Sequence, residues 1–199
     1  MNALIVIDVQ NDFLPGGALA VSGGNEILPR VNKLIADHDH VVLTQDWHPA
    51  GHSSFASSHP GKSPFETMMM AYGEQTLWPD HCIQGTTGAK FHASLNWTKA
   101  ELLVRKGFRK AIDSYSAFFE NDHATPTGLG GYLAERGIKS VTLCGLATDY
   151  CVAYSALDAV KFGLQVTVDL DACRAIDLGG SLAISLKKMR AEGVRLRGA

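Results

Sequence analysis

Four reactive side chains stand at comparable places in the chain. Asp8, Asp46, Lys106 and Cys151 each close or closely follow a short apolar run. An aspartate behind the five apolar residues of "ALIVI" is costly to bury unpaired and calls for a cation or a proton-sharing partner. Lys106, at the end of "LLVRK", meets the same demand with the opposite sign. Cys151 falls where "CGLATDYCVAYSALDAV" turns from an apolar run into an amphipathic helix. A thiol in a first helical turn lies among N–H groups without intrahelical partners, where an anion is favoured. Its bland alternative is a small core residue. An Asp8–Lys106–Cys151 cluster satisfies all three demands together: the carboxylate accepts the thiol proton, the ammonium stabilises the anions, and the sulfur attacks an acyl carbon. Arg105, Arg109 and Lys110 read as solvated surface charges.

A second constellation lies in "QDWHPAGHSSF". On an extended segment residues two apart point the same way, so Asp46 and His48 can present oxygen and nitrogen to one metal ion. His52 is four residues past His48, but Pro49 and Gly51 preclude the regular helix that a zinc HxxxH motif needs. "LWPDHCIQG" adds His81 next to Trp78, with Asp80 and Cys82 as weaker candidates. A carboxylate with two imidazoles suits Zn, Fe or Mn and does not choose among them. His38, His40, His59, His92 and His123 read as surface loop residues, and the Met68–Met70 run as packing or lid material.

These residues need elements to bring them together. "ALIVIDV", "HVVLTQD", "ELLVRK", "SVTLCG" and "LQVTVDL" read as strands buried on both faces, with "VRLR" as a last short one. Helical patterns alternate with them: Ile27 to Ile35, with Asn25 as cap and Pro29 in the first turn; Tyr150 to Val160; and Leu182 to Met189. Alternation of this kind predicts a single α/β domain, its mainly parallel central sheet flanked by helices on both faces. Ligands bind such sheets beyond the carboxyl ends of the strands, which is where the four reactive residues fall. From about 46 to 95 the periodicity lapses, and an irregular insert of that length is expected to be functional, here metal-binding.

The 199 residues carry a formal charge of -2, with 46% hydrophobic and 19% charged residues, so nothing favours nucleic acid or an acidic membrane as partner. No apolar run is long enough to span a bilayer, and the acidic Asp8 argues against a signal peptide. Four cysteines without CxxC spacing suit a reduced, cytoplasmic setting and argue against a structural zinc module. The absence of GxGxxG after the first strand argues against a dinucleotide site.

The blocks "VIDVQNDF", "QDWHPAGHSSFA", "WPDHC", "DSYSAFF" and "GLATDYCV", in this order from Ala3 to about Val152, with "DACRA" downstream, resemble the nicotinamidases (pyrazinamidases) of the isochorismatase-like cysteine hydrolases. The resemblance spans nearly the whole chain. It implies a Rossmann-like three-layer α/β fold and hydrolysis of nicotinamide to nicotinate and ammonia through a cysteine thioester, in NAD salvage, with pyrazinamide as a second small-molecule substrate. It implies Asp8, Lys106 and Cys151 as catalytic triad, one divalent ion on Asp46, His48 and His81, and Phe13, Trp78 and Tyr115 around the substrate. A cis peptide at Leu146–Ala147 is implied, with the N–H groups of Ala147 and Cys151 forming the oxyanion hole. His52 is a further ligand in some relatives and is replaced by water in others. A homo-oligomer is possible. Relatives acting on carbamoyl or ureido groups are expected to share the Asp, Lys and Cys but leave the metal motif and aromatic pocket without a purpose; isochorismatase itself needs no cysteine nucleophile.

Overall fold

Residues 1–198 are described by the computed structural model. Six parallel strands form the central sheet in the order β5-β2-β1-β6-β7-β8. They are β1 (Asn2–Ile7), β2 (His40–Asp46), β5 (Leu102–Lys106), β6 (Ser140–Leu146), β7 (Gln165–Arg174) and β8 (Arg195–Arg197). Four helices connect them: α1 (Leu28–Asp37), α2 (Leu129–Glu135), α3 (Ala153–Lys161) and α4 (Ser181–Ala191). From β1 the chain first builds outward through β2 and β5, then returns to β1's other side and builds β6, β7 and β8. Right-handed crossovers in opposite directions put α1 on one face and α3 and α4 on the other. The reversal makes the carboxyl end of β1 the switch point, where a crevice opens.

Ala3 to Ile7 of β1 are at most 1% exposed, as its apolar run requires between two helical layers. β5 departs from the expectation of burial on both faces: it is the edge strand, with Leu103 and Arg105 exposed. Arg105 lies over the Trp47 ring at 4.0 Å, and Arg109 pairs with the buried Glu120, so these two are anchored rather than freely solvated. Asn25 does not cap α1; it sits inside a 3₁₀ turn, Gly24–Ile27, that precedes the helix. β7 runs past Leu170 to Arg174 after a register irregularity opposite β6.

The segment from 46 to 95 is largely irregular but contains an antiparallel hairpin, β3 (Thr67–Met70) with β4 (Gly73–Thr76). The Met68–Met70 run is β3, with Met69 72% exposed. The segment is pinned by the fully buried Phe55 and Leu77 and by bridges pairing His48 with Ile83 and Phe55 with Trp78. No helix among the described residues is long and apolar enough to cross a membrane.

Candidate active site

Sheet register dictates the first contact. Asp46 and Lys106 are the last residues of β2 and β5 and pair across the ladder. Asp8 follows β1 with φ 48°, a left-handed conformation uncommon among non-glycine residues. The Lys106 Nζ lies 2.7 Å from Asp8 Oδ2, donates to Asp46 Oδ1 and to the Ser114 carbonyl (3.0 Å), and is 3.4 Å from Cys151 Sγ. The Asp8 contact is poorly aligned as a hydrogen bond, so Oδ2 keeps acceptor capacity, while Thr44 Oγ1 donates to Oδ1 at 2.6 Å. One oxygen each of Asp8 and Asp46 and the Cys151 sulfur lie within 4.8 Å of one another. Asp8, Lys106 and Cys151 are 0%, 1% and 7% exposed, so charge interactions here are weakly screened.

Cys151 arrives from β6 through a tight passage. Gly145 has φ +117°, and a Cβ there would sit 2.0 Å from the Ile7 carbonyl oxygen; only glycine lets β6 pass β1 at this point. The Leu146–Ala147 peptide is cis, and Thr148–Val152 forms a π-helical turn leading into α3. Burial drives the Cys151 thiol well above its ordinary value, with Lys106 opposing only in part. The resting sulfur is therefore a thiol, despite its position near a helix start. Burial also raises Asp8, the Lys106 charge limiting the rise to about 6. Lys106 stays firmly protonated: burial works against its charge, but Asp46 and Asp8 outweigh it.

Asp46 uses its other oxygen on the two histidines: Oδ2 is 3.6 Å from His48 Nε2 and 3.7 Å from His81 Nε2. His48 Nδ1 donates to the Gly107 carbonyl (2.9 Å) and His81 Nδ1 to the Pro79 carbonyl (2.8 Å). Both Nε2 lone pairs thus face Asp46, the tautomer that a ligating histidine needs. Gly107 admits this arrangement, since a Cβ there would lie 2.4 Å from the His48 ring. Ligands bonded at about 2.1 Å around one ion stand roughly 3.3–3.6 Å apart, so Asp46, His48 and His81 fit a divalent metal. Asp46 remains anionic: burial disfavours the charge, but Lys106 outweighs it, and with no ion bound an Nε2–H on His48 or His81 adds to the effect, holding the carboxyl well below the usual range.

His52 stands outside the Asp46–His48–His81 group, although one of its ring nitrogens lies within 4.8 Å of ligand atoms of His48 and Asp113. Its Nε2 donates to the Arg109 carbonyl (2.8 Å), and its Nδ1 accepts from the Ser54 N–H (3.1 Å), consistent with a neutral ring whose pKa burial lowers. Asp80 is exposed and bonded by Ser57, and Cys82 is buried with its N–H on Asp12 Oδ2, so neither joins the cluster.

Phe13, Trp78 and Tyr115 line one small pocket that also touches Asp46, His81, Ala147 and Cys151. Its remaining walls include Leu19, Asp113, Tyr150 and Ile176. Tyr150 stands edge-on to Trp78 at 4.9 Å between centroids, and Trp78 Nε1 donates to the Tyr115 hydroxyl at 3.0 Å. A planar, largely apolar ring with a carbonyl at one end suits such walls.

A family model described as the isochorismatase domain matches residues 2–199. The chain belongs to the isochorismatase family. Within it, the chain is 55% identical to a nicotinamidase of Acinetobacter baylyi over 97% of this chain and 90% of that protein. Among solved structures, a nicotinamidase/pyrazinamidase of Acinetobacter baumanii superposes with a TM-score of 0.97 at 57% identity, covering 98% of this chain and 95% of that one. A pyrazinamidase of Pyrococcus horikoshii in complex with zinc superposes with a TM-score of 0.81 at 35% identity, covering 100% and 99%.

Several buried residues of this isochorismatase-family site escaped the sequence reading. Gln10 grips Asp46 from both sides: its Nε2 donates to the Asp46 carbonyl (2.8 Å) and its Oε1 accepts the Asp46 N–H (2.8 Å). Thr44, within β2, is the hydroxyl that bonds Asp8. The test applied to Asp8, a polar side chain in a buried run that needs a partner, would have singled out both. Asp113 and Ile176 lie in loops where no such pattern exists, and Tyr150 reads only as the first residue of a helix.

Proposed function

We propose that this chain is a nicotinamidase that hydrolyses nicotinamide to nicotinate and ammonia, and pyrazinamide likewise. The observation that carries this reading is the meeting of Asp8 and Lys106 with Cys151, which lines an aromatic-walled pocket together with Asp46 and His81.

Asp8, ionised above about pH 6, takes the proton from the Cys151 thiol, and the thiolate forms a bond to the carboxamide carbon. Lys106 offsets the charge that accumulates on Asp8 and sulfur. The N–H groups of Ala147 and Cys151 hold the tetrahedral oxyanion, usually the largest single contribution to such a step. As the C–N bond breaks, Asp8 returns the proton to the leaving nitrogen, and ammonia departs. Asp8 then takes a proton from water, whose oxygen attacks the thioester; the C–S bond breaks and the proton goes back to sulfur. Phe13, Trp78 and Tyr115 sandwich the ring and exclude water. A divalent ion (Zn, Fe or Mn) held by Asp46, His48 and His81 would supply a Lewis acid for the pyridine nitrogen and so orient the ring.

The 46–95 insert then serves the single domain by carrying the metal ligands and Trp78. Four unpaired thiols, Cys82, Cys144, Cys151 and Cys173, support a reducing, cytoplasmic setting. The test is ammonia release from nicotinamide set beside carbamoyl and ureido compounds. Nicotinamide is expected to be preferred by orders of magnitude; a preference for a carbamoyl substrate would refute the assignment.

A further inference from the structure

The β3–β4 hairpin is mostly exposed, yet one of its side chains points inward. Gln75 of β4 is 1% exposed, in a strand whose other residues are at least partly open. A buried amide on so small an element is costly unless every polar atom is paired. Here every one is. Gln75 Oε1 accepts from Asn121 Nδ2 (2.9 Å) and the Tyr72 hydroxyl (3.2 Å). Gln75 Nε2 faces the Tyr115 hydroxyl (2.7 Å), the Thr76 carbonyl (2.7 Å) and Asp113 Oδ2 (3.0 Å). The amide cannot be flipped, because the opposite orientation would set its oxygen against the Thr76 carbonyl and the Asp113 carboxylate and its nitrogen against Asn121 Nδ2.

The consequence falls on Tyr115. Its oxygen accepts from Gln75 Nε2 and from Trp78 Nε1, so both lone pairs are engaged from opposite neighbours. The backbone is held as well, with the Tyr115 N–H on Asn121 Oδ1 (2.9 Å) and Asn121 itself on Gln75. Tyr115 is a wall of the pocket; Gln75 does not line it. We infer that Gln75 is a positioning residue, by which the hairpin fixes the Tyr115 ring against the substrate ring. This rests on the amidase reading of the pocket. Because Gln75 acts on the ring and not on the sulfur, its loss removes binding shared by ground state and transition state, which raises KM and leaves kcat alone.

The experiment is a double-mutant cycle on the full-length protein with Gln75→Met and Tyr115→Phe, reading nicotinate Kd by calorimetry and KM and kcat for nicotinamide. Gln75→Met is expected to raise Kd and KM about tenfold with kcat within about threefold. Tyr115→Phe removes the shared acceptor, so the double variant should be no worse than the poorer single one. The rate at which iodoacetamide alkylates Cys151 should be unchanged, since that reagent needs no ring recognition. Losses that multiply in the double variant, or an unchanged nicotinate Kd with only a lowered Tm, would overturn the inference. Should Gln75→Met fail to fold, Gln75→Glu keeps the shape while replacing the donor by a carboxyl oxygen, and a wild-type Kd in that variant overturns it equally. If wild-type protein binds nicotinate but releases no ammonia, the activity reading fails, and the binding cycle still judges Gln75.

Discussion

Replacing Lys106 by Met tests the electrostatic design most directly. Met fills the stem's volume and removes the charge that sits 2.7 Å from Asp8 Oδ2 and also bonds Asp46. In the wild type, Asp8 has a pKa of about 6 because burial raises it and Lys106 opposes the rise. At pH 7 roughly nine-tenths of Asp8 is then ionised and ready to take a proton. An opposite charge within contact distance is worth about one to three pH units to a carboxylate, so its loss moves the acidic limb of kcat/KM alkaline by that amount. At pH 7 the ionised fraction falls to between about one half and one hundredth, and activity should fall in proportion and recover partly as pH rises. Removing one member of a buried ion cluster also costs about 3–5 kcal/mol, so the fold is checked by circular dichroism alongside. The assay is ammonia release across pH 5 to 10, roughly the span over which such a limb can be followed. An acidic limb still near pH 6 in the variant would refute Lys106 as the group that sets Asp8.

Cys151→Ala should abolish turnover and leave the fold intact, whereas alanine at Cys82, Cys144 or Cys173 should cost far less; Cys151→Ala activity within about tenfold of wild type would remove the nucleophile assignment. Asp8→Asn should lower kcat by roughly 10²–10⁴. It should also flatten part of the pH dependence of stability. The Asp8 carboxyl is raised from 3.8 to about 6 on folding, so its contribution is fully present below the unfolded value and is lost as pH rises through the folded one. Relative to wild type, the Asn variant should therefore gain about 2 kcal/mol in urea unfolding between about pH 4.5 and about pH 7.5, and an unchanged gap would contradict the raised value. Stripping the metal, or His48→Ala, should penalise nicotinamide and pyrazinamide by roughly 10²–10³ in kcat/KM but benzamide, which lacks the ring nitrogen, little; equal losses would assign the ion to the fold or the carbonyl instead.

The strands were legible because parallel strands buried on both faces must be continuous apolar runs, and "ALIVI" and "VVL" are. The same logic overreached at β5, whose composition resembles a central strand although it occupies the edge; composition reports hydrophobicity, not rank in the sheet. α2 was missed because "LGGYLAE" spends two of seven positions on glycine, which weakens the helical pattern and the propensity behind it. The β3–β4 hairpin was missed because three consecutive methionines show no alternation, even though β3 alternates between exposed and half-buried. The reactive residues stood out where they end strands. Gln75 and Asp113 did not, since each is placed by contacts between segments far apart in sequence.

Why one lysine serves two carboxylates with opposite roles follows from what else each touches. Asp8 and Asp46 are both buried and both contact Lys106. Burial presses both toward the neutral form. Asp8 has only Lys106 and the Thr44 hydroxyl to set against that pressure, and the neighbouring Asp46 charge adds to it, so its carboxyl rises to about 6. Asp46 also faces His48 and His81, whose Nε2–H when protonated, or the ion they would hold when not, adds to Lys106, and its carboxyl stays well below the ordinary range. A carboxylate near 6 gives and takes protons at neutral pH; one held far below it never protonates and can remain a ligand. The separation places base and ligand side by side without exchange of roles, and Asp46 spans the gap between them, with one oxygen on Lys106 and the other on the histidines. A change at the metal ligands is therefore expected to reach Asp8 through Lys106, and the acidic limb of the His48→Ala profile, compared with that of wild type, reads that coupling directly.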